Sequence, residues 1–110
     1  MKKKDIKILL VDDEQDILEI VGYNLTQEGY QVVTASNGRE AIQVAKKELP
    51  QLIIMDVMMP EMDGMEACEN IRRLPELSNV IIAFLTARNE DYSQVAGFEA
   101  GADDYIAKPI

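Results

Sequence analysis

Asp12, Asp13, Asp56, Thr86 and Lys108 are polar residues that stand where short apolar runs stop. The runs are IKILLV before Asp12 and Asp13, LIIM before Asp56, VIIAFL before Thr86 and YIA before Lys108. Brought into one crevice, three carboxylates, a hydroxyl and an ammonium form an acidic pocket that accepts a phosphoryl group. Clustered carboxylates repel: two unit charges about 4 Å apart cost roughly 4 kcal/mol at an effective dielectric of 20. A hard divalent cation relieves that repulsion, and Mg2+ typically takes one or two carboxylates together with waters and phosphate oxygens. A carboxylate is also a covalent nucleophile in aspartyl-phosphate chemistry. Lys108 and Thr86 then offer a positive charge and a hydrogen-bond donor to the phosphoryl oxygens.

Convergence of these residues requires parallel strands, because only then do the carboxyl ends share one edge of a sheet, where open α/β sheets bind ligands. The runs fit that requirement. They are short, continuous and rich in β-branched residues, as strands buried on both faces are. Between them lie helix-like stretches, and the alternation predicts an α/β fold with a parallel sheet. Strands are expected at 6–11, 31–35, 52–56, 80–86 and 104–107. Helices are expected at 14–28, 39–49, 65–74 and 91–100. Ile17, Leu18, Val21 and Leu25 share one face of the first helix, which Gly29 terminates. Ala41, Ile42, Ala45 and Leu49 point inward from the second, which Pro50 ends. Pro75 stops the third.

A chain of 110 residues is one domain with room for a single core. Its net charge of −9 argues against binding nucleic acid or an anionic membrane through this domain. No apolar run reaches membrane-spanning length. The N-terminal KKK does not open a signal peptide, since Lys7 and Asp12 interrupt the apolar stretch behind it. A single cysteine excludes an internal disulfide and fits a reducing compartment, so a cytoplasmic location is expected. Histidine is absent, which removes imidazole bases and the commonest zinc ligand. Any phosphohistidine donor must therefore be another molecule.

Four segments carry a family resemblance: VDDE at 11–14, MDVMMPEMDG at 55–64, LTA at 85–87 and GADDYIAKP at 101–109. In this order and in these strand contexts, they resemble the receiver domain of bacterial two-component response regulators, from Ile6 to the last residue. The resemblance implies a flavodoxin-like, doubly wound five-stranded parallel sheet in the order 2-1-3-4-5. It implies that Asp56 is the phosphoacceptor, that Asp13 is a direct metal ligand and that Asp12 acts largely through water. The backbone carbonyl of Met58 completes the Mg2+ site, a role indifferent to side chain. Thr86 is the switch hydroxyl, Tyr105 its rotameric partner, and Lys108 pairs with the phosphoryl oxygens. The phosphodonor is a sensor histidine kinase. The domain is a phosphoprotein switch with assisted phosphotransfer and slow autodephosphorylation, not a metabolic enzyme.

The segment at 85–109 is most similar to receivers attached to winged-helix DNA-binding domains, which implies transcription regulation as the output. Those receivers form a homodimer through helix four, strand five and helix five. Here Ser93, Gln94 and Ala96 replace residues common on helix four, while Asp103 and Asp104 remain. In the family a fifth helix follows the Lys-Pro pair and covers the face of helix one. Because the sequence stops at Ile110, residues 1–110 are expected to form a receiver truncated before that helix, as a fragment or a designed truncation.

Several polar residues have simpler roles. Glu14 complements the dipole of the first helix, Asp63 suits turn and cap chemistry, and Pro60 and Gly64 shape the loop after strand three. Cys68 shares an apolar face with Ala67 and Ile71, as a small buried hydrophobe does. Other functions fit poorly. An aspartate-nucleophile phosphatase of the haloacid-dehalogenase type carries an Asp where Met58 stands. A flavin module needs Ser, Thr and Gly donors after strand one, where this chain has DDEQD. A receiver that has lost phosphorylation would lack pocket residues, and all five are present.

Overall fold

The computed structural model describes residues 2–86 and 101–107. Five parallel strands, β1 (Lys7–Val11), β2 (Gln31–Ala35), β3 (Leu52–Asp56), β4 (Ile81–Thr86) and β5 (Asp104–Ala107), form one sheet in the order β2-β1-β3-β4-β5. The helices are α1 (Gln15–Gln27), α2 (Gly38–Glu48) and α3 (Gly64–Arg72). The expected helix at 91–100 lies outside the described residues.

Continuous apolar strands follow from covering the sheet on both sides. Leu9 and Val11 of β1, Ile53 and Met55 of β3, and Ile82 and Phe84 of β4 pack with Ala41 and Ala45 of α2 and with Ala67, Cys68 and Ile71 of α3. The alternate residues Ile8, Leu10, Ile54 and Leu85 pack with Leu18 and Val21 of α1. Side chains alternate between faces along a strand, so both sets must be apolar. Ile17 and Leu25 are partly buried against the second set. At the opposite rim from the carboxyl ends, Ile6, Tyr30, Leu52, Val80 and Ile81 line an apolar groove of about 550 Å³.

The cores of the elements match the periodicity, and the differences fall at their ends. Leu49, expected to point inward, is 47% exposed. Pro50 disfavours the right-handed helical conformation for the residue before it, and Leu49 takes the left-handed region at φ 49°, ψ 60°. That turn swings its side chain out of the helical period. Gly29 fills its expected role at φ 106°, just beyond α1. Pro75 opens a short 3-10 turn, Pro75–Leu77, rather than abutting α3, which has already ended at Arg72. Leu77 is buried in that turn.

Cys68 is fully buried, as its place on the apolar face predicts. Burial pushes its thiol from an ordinary 9.0 up to about 11.

Candidate functional site

Register places the acidic residues side by side. Val11 of β1 pairs with Met55 of β3, so Asp12 and Asp56, one residue further along each strand, end adjacent strands at the same height. On the other flank Asp56 pairs with Leu85 of β4, and Thr86 follows it. Thr86 in turn pairs with Ala107 of β5. Asp12, Asp56 and Thr86 are buried, and Asp13 is exposed. One carboxylate oxygen from each of Asp12, Asp13 and Asp56 lies within 4.8 Å of the others. Lys108 and the Lys108-Pro109 pair lie outside the described residues.

Two of the carboxylates are aimed by their own backbone. Asp12 Oδ1 accepts from the Glu14 N–H at 2.9 Å, and Asp56 Oδ1 accepts from the Met58 N–H at 3.2 Å. Each is an Asx-type turn, in which an Asp side chain bonds the chain two residues on. Sequence reasoning missed these bonds, although an Asp directly after a strand is their signal. Glu14 is the N-cap residue of α1 and makes no side-chain capping bond. Its place beside the first turn keeps the dipole role open to it.

The loop from β3 to α3 holds Met58 beside Asp56. Val57 N–H donates to Leu85 O at 3.2 Å, and Gly64 N–H donates to Val57 O at 2.9 Å. Glu61 sits in the left-handed region at φ 67°. Asp63 Oδ1 accepts from Glu66 N–H at 2.9 Å, which makes it the N-cap of α3 as expected. Gly64 is required by closeness: a Cβ there would lie 2.3 Å from the Asp56 carbonyl oxygen. The Met58 side chain is exposed. Among the other methionines, Met55 and Met59 are buried.

Tyr105 rests edge-on against Phe84, with ring centroids 5.7 Å apart and planes at 70°. Strand β5 is held at its start by Arg72, the last residue of α3. Its guanidinium donates to Gly101 O at 2.9 Å, to Ser78 O at 3.3 Å, to Val80 O, and to Asp103 Oδ2 at 2.7 Å. Asp103 Oδ2 also accepts from the Ile82 N–H at 2.8 Å. Asp103, expected on a dimer face, thus has an ionic partner within its own chain.

The donor set suits Mg2+. All three side chains offer hard oxygen ligands. In an octahedron with bonds of about 2.1 Å, ligands are roughly 3.0 Å apart when adjacent and roughly 4.2 Å when opposite. The three oxygens, within 4.8 Å of one another, are spaced on that scale.

Comparison with known proteins agrees with this geometry. Residues 8–110 match the family described as the response regulator receiver domain. The alkaline phosphatase synthesis transcriptional regulatory protein PhoP of Bacillus subtilis is 47% identical over 104 residues, which is 94% of this chain and 42% of that protein. The transcriptional regulatory protein AfsQ1 of Streptomyces coelicolor is 42% identical over 103 residues, 94% of this chain and 44% of that protein. The chain therefore spans less than half the length of these curated relatives. Among solved structures, the Vibrio cholerae chemotaxis protein CheY4 superposes with a TM-score of 0.91 at 35% identity, covering 96% of this chain and 88% of that one. The receiver domain of the sensor histidine kinase PA1611 from Pseudomonas aeruginosa gives 0.87 at 31% identity, covering 96% and 86%, and that structure holds a magnesium ion in its active-site cleft. Among the described residues, no helix is long and apolar enough to cross a membrane.

Proposed function

This chain belongs to the response regulator receiver domains of two-component systems, and on that premise we propose that Asp56 is its phosphoacceptor. In the transfer, an Asp56 carboxylate oxygen forms a bond to phosphorus while the bond from phosphorus to the imidazole nitrogen of the kinase's phosphohistidine breaks. The leaving nitrogen keeps the electron pair. Mg2+, held by Asp12, Asp13, Asp56 and the Met58 carbonyl, neutralises phosphoryl charge when bound. The Asx turn fixes one carboxylate oxygen of Asp56 toward Met58 N–H and so sets the direction in which the group faces. Thr86 donates its hydroxyl to a phosphoryl oxygen, and Lys108 supplies the positive charge. Water later hydrolyses the acyl phosphate, which gives slow autodephosphorylation.

The single observation that carries this reading is the mutual approach of three carboxylate oxygens to within 4.8 Å at the carboxyl edge of the sheet, with Asp56 on the central strand. Receivers act as phosphoacceptor switches rather than metabolic enzymes, and the curated relatives are transcriptional regulators. We therefore infer a cytoplasmic regulator that controls transcription through a separate output segment. The charge of −9 keeps this domain itself off nucleic acid. A homodimer through helix four and β5 is the arrangement expected of this subgroup, and Ser93, Gln94 and Ala96 lie outside the described residues.

The test is incubation with acetyl phosphate with and without Mg2+, followed by mass spectrometry of the wild type and Asp56→Asn. One Mg2+-dependent phosphate in the wild type and none in Asp56→Asn is expected. A stable phosphate elsewhere, with Asp56 unmodified, would rule the assignment out.

A further inference from the structure

We propose that Gly38 is a positioning residue for the phosphoacceptor loop and that it acts through the backbone of Met62. A Cβ on Gly38 would lie 2.6 Å from the Met62 carbonyl oxygen, 2.9 Å from its Cγ and 3.1 Å from its Cβ. The first of these is a backbone atom and cannot rotate away. Gly38 is buried at the first position of α2, so the loop between β3 and α3 rests directly on the start of that helix.

Of the two bodies in contact, the helix is the firmer. Asn37 Oδ1 accepts from Glu40 N–H at 2.9 Å, and Glu40 Oε1 accepts from Ser36 N–H at 3.2 Å. This is a variant of the reciprocal capping box. Ala41 and Ala45 fix the helix to the sheet with no exposed surface. The loop, by contrast, is closed at Val57 and Gly64. A displacement at Met62 therefore falls on the residues between these two closures, Met58 among them. Met62 N–H donates to Pro60 O at 2.9 Å, which couples it tightly to the turn at Glu61. Met58, whose N–H orients Asp56, lies within the same closed stretch. Gly38 is thus a third support for the loop, besides Leu85 and Gly64.

The assignment rests on Asp56 being the phosphoacceptor with Mg2+ at its side. It is tested by Mg2+ titration of nitrogen-labelled wild type, Gly38→Ala, Asn37→Ala and Gly22→Ala, followed by amide NMR. The same four proteins are compared metal-free, and their thermal midpoints are recorded. Gly22→Ala is the control, since a Cβ there meets only Val32 at 3.9 Å and Leu10 at 4.0 Å. Gly38→Ala should displace the Met58 and Asp56 amides in the metal-free protein and weaken Mg2+ binding roughly tenfold, the scale seen on losing residues that orient metal ligands. Gly22→Ala should match wild type in both respects. A folded Gly38→Ala with wild-type Mg2+ affinity and an unmoved Met58 amide overturns the proposal, whatever its thermal midpoint. Should Gly38→Ala fail to fold, Asn37→Ala decides, because it removes the cap that holds the start of α2 under Met62: weakened Mg2+ binding with a displaced Met58 amide supports the role, and wild-type affinity with an unmoved Met58 amide overturns it. A wild-type protein that binds no Mg2+ overturns this inference and the phosphoacceptor assignment together. Intact wild-type binding and phosphorylation beside an unaffected Gly38→Ala overturn this inference alone.

Discussion

Aspartates in this chain do different work according to where their oxygens point. Asp63 turns its carboxylate onto the N–H of Glu66 and starts a helix, whereas Asp56 bonds the N–H of Met58 and ends a strand between two neighbours. Thr86 is a third case, a buried hydroxyl one residue beyond the strand pair of Asp56. By strand alternation it shares a face with Phe84, against which Tyr105 rests. On the proposed function, Thr86 senses the phosphoryl group on Asp56 and passes that state to Tyr105, while Asp56 alone forms the bond to phosphorus. Thr86→Ala should accept phosphate on Asp56 yet lose one hydrogen bond to the phosphoryl group. That loss is worth about 1 kcal/mol, or roughly fivefold in the population of the switched form. The chemical-shift change at Tyr105 on phosphorylation measures it, and equal changes in mutant and wild type would refute this division of labour.

At the level of elements, strands β1, β3 and β4 were legible almost to the residue because burial on both faces leaves an unbroken apolar run. The acidic site was legible for the same reason: in a parallel sheet, residues just past several strands must meet. The helix ends were less so, since cap conformation depends on one or two residues rather than a period. Leu49 is the clearest instance. Its inward assignment followed the period of α2, but Pro50 changed its backbone. The supports formed by Gly38 against Met62 and by Arg72 against Asp103 were not legible. Such contacts link distant positions and leave no periodic mark. Leu49 also yields a prediction. A side chain in the left-handed region costs about 1 kcal/mol or more, and glycine is the usual residue at such a helix end. Leu49→Gly should raise stability by up to ~1 kcal/mol in urea denaturation. A lowered midpoint would mean that the covered part of the Leu49 side chain outweighs the backbone strain.

Across the whole molecule, the two apolar layers on either side of the sheet must come apart before most interior groups meet water. Cys68 lies in the layer between α3 and the sheet, and its thiol is held near 11 against an ordinary 9.0. The unfolded chain thus releases this proton first as pH rises. The contribution of Cys68 to stability is complete below pH 9.0 and fades as pH climbs toward about 11. Denaturant midpoints of wild type and Cys68→Ala, compared across that range, should show a decline in the wild type that the variant lacks. Parallel declines would place the titration elsewhere. Below that range the thiol keeps time for the fold. With no other cysteine in the chain, the pace at which iodoacetamide alkylates it counts how often α3 lifts from the sheet, with no label to install.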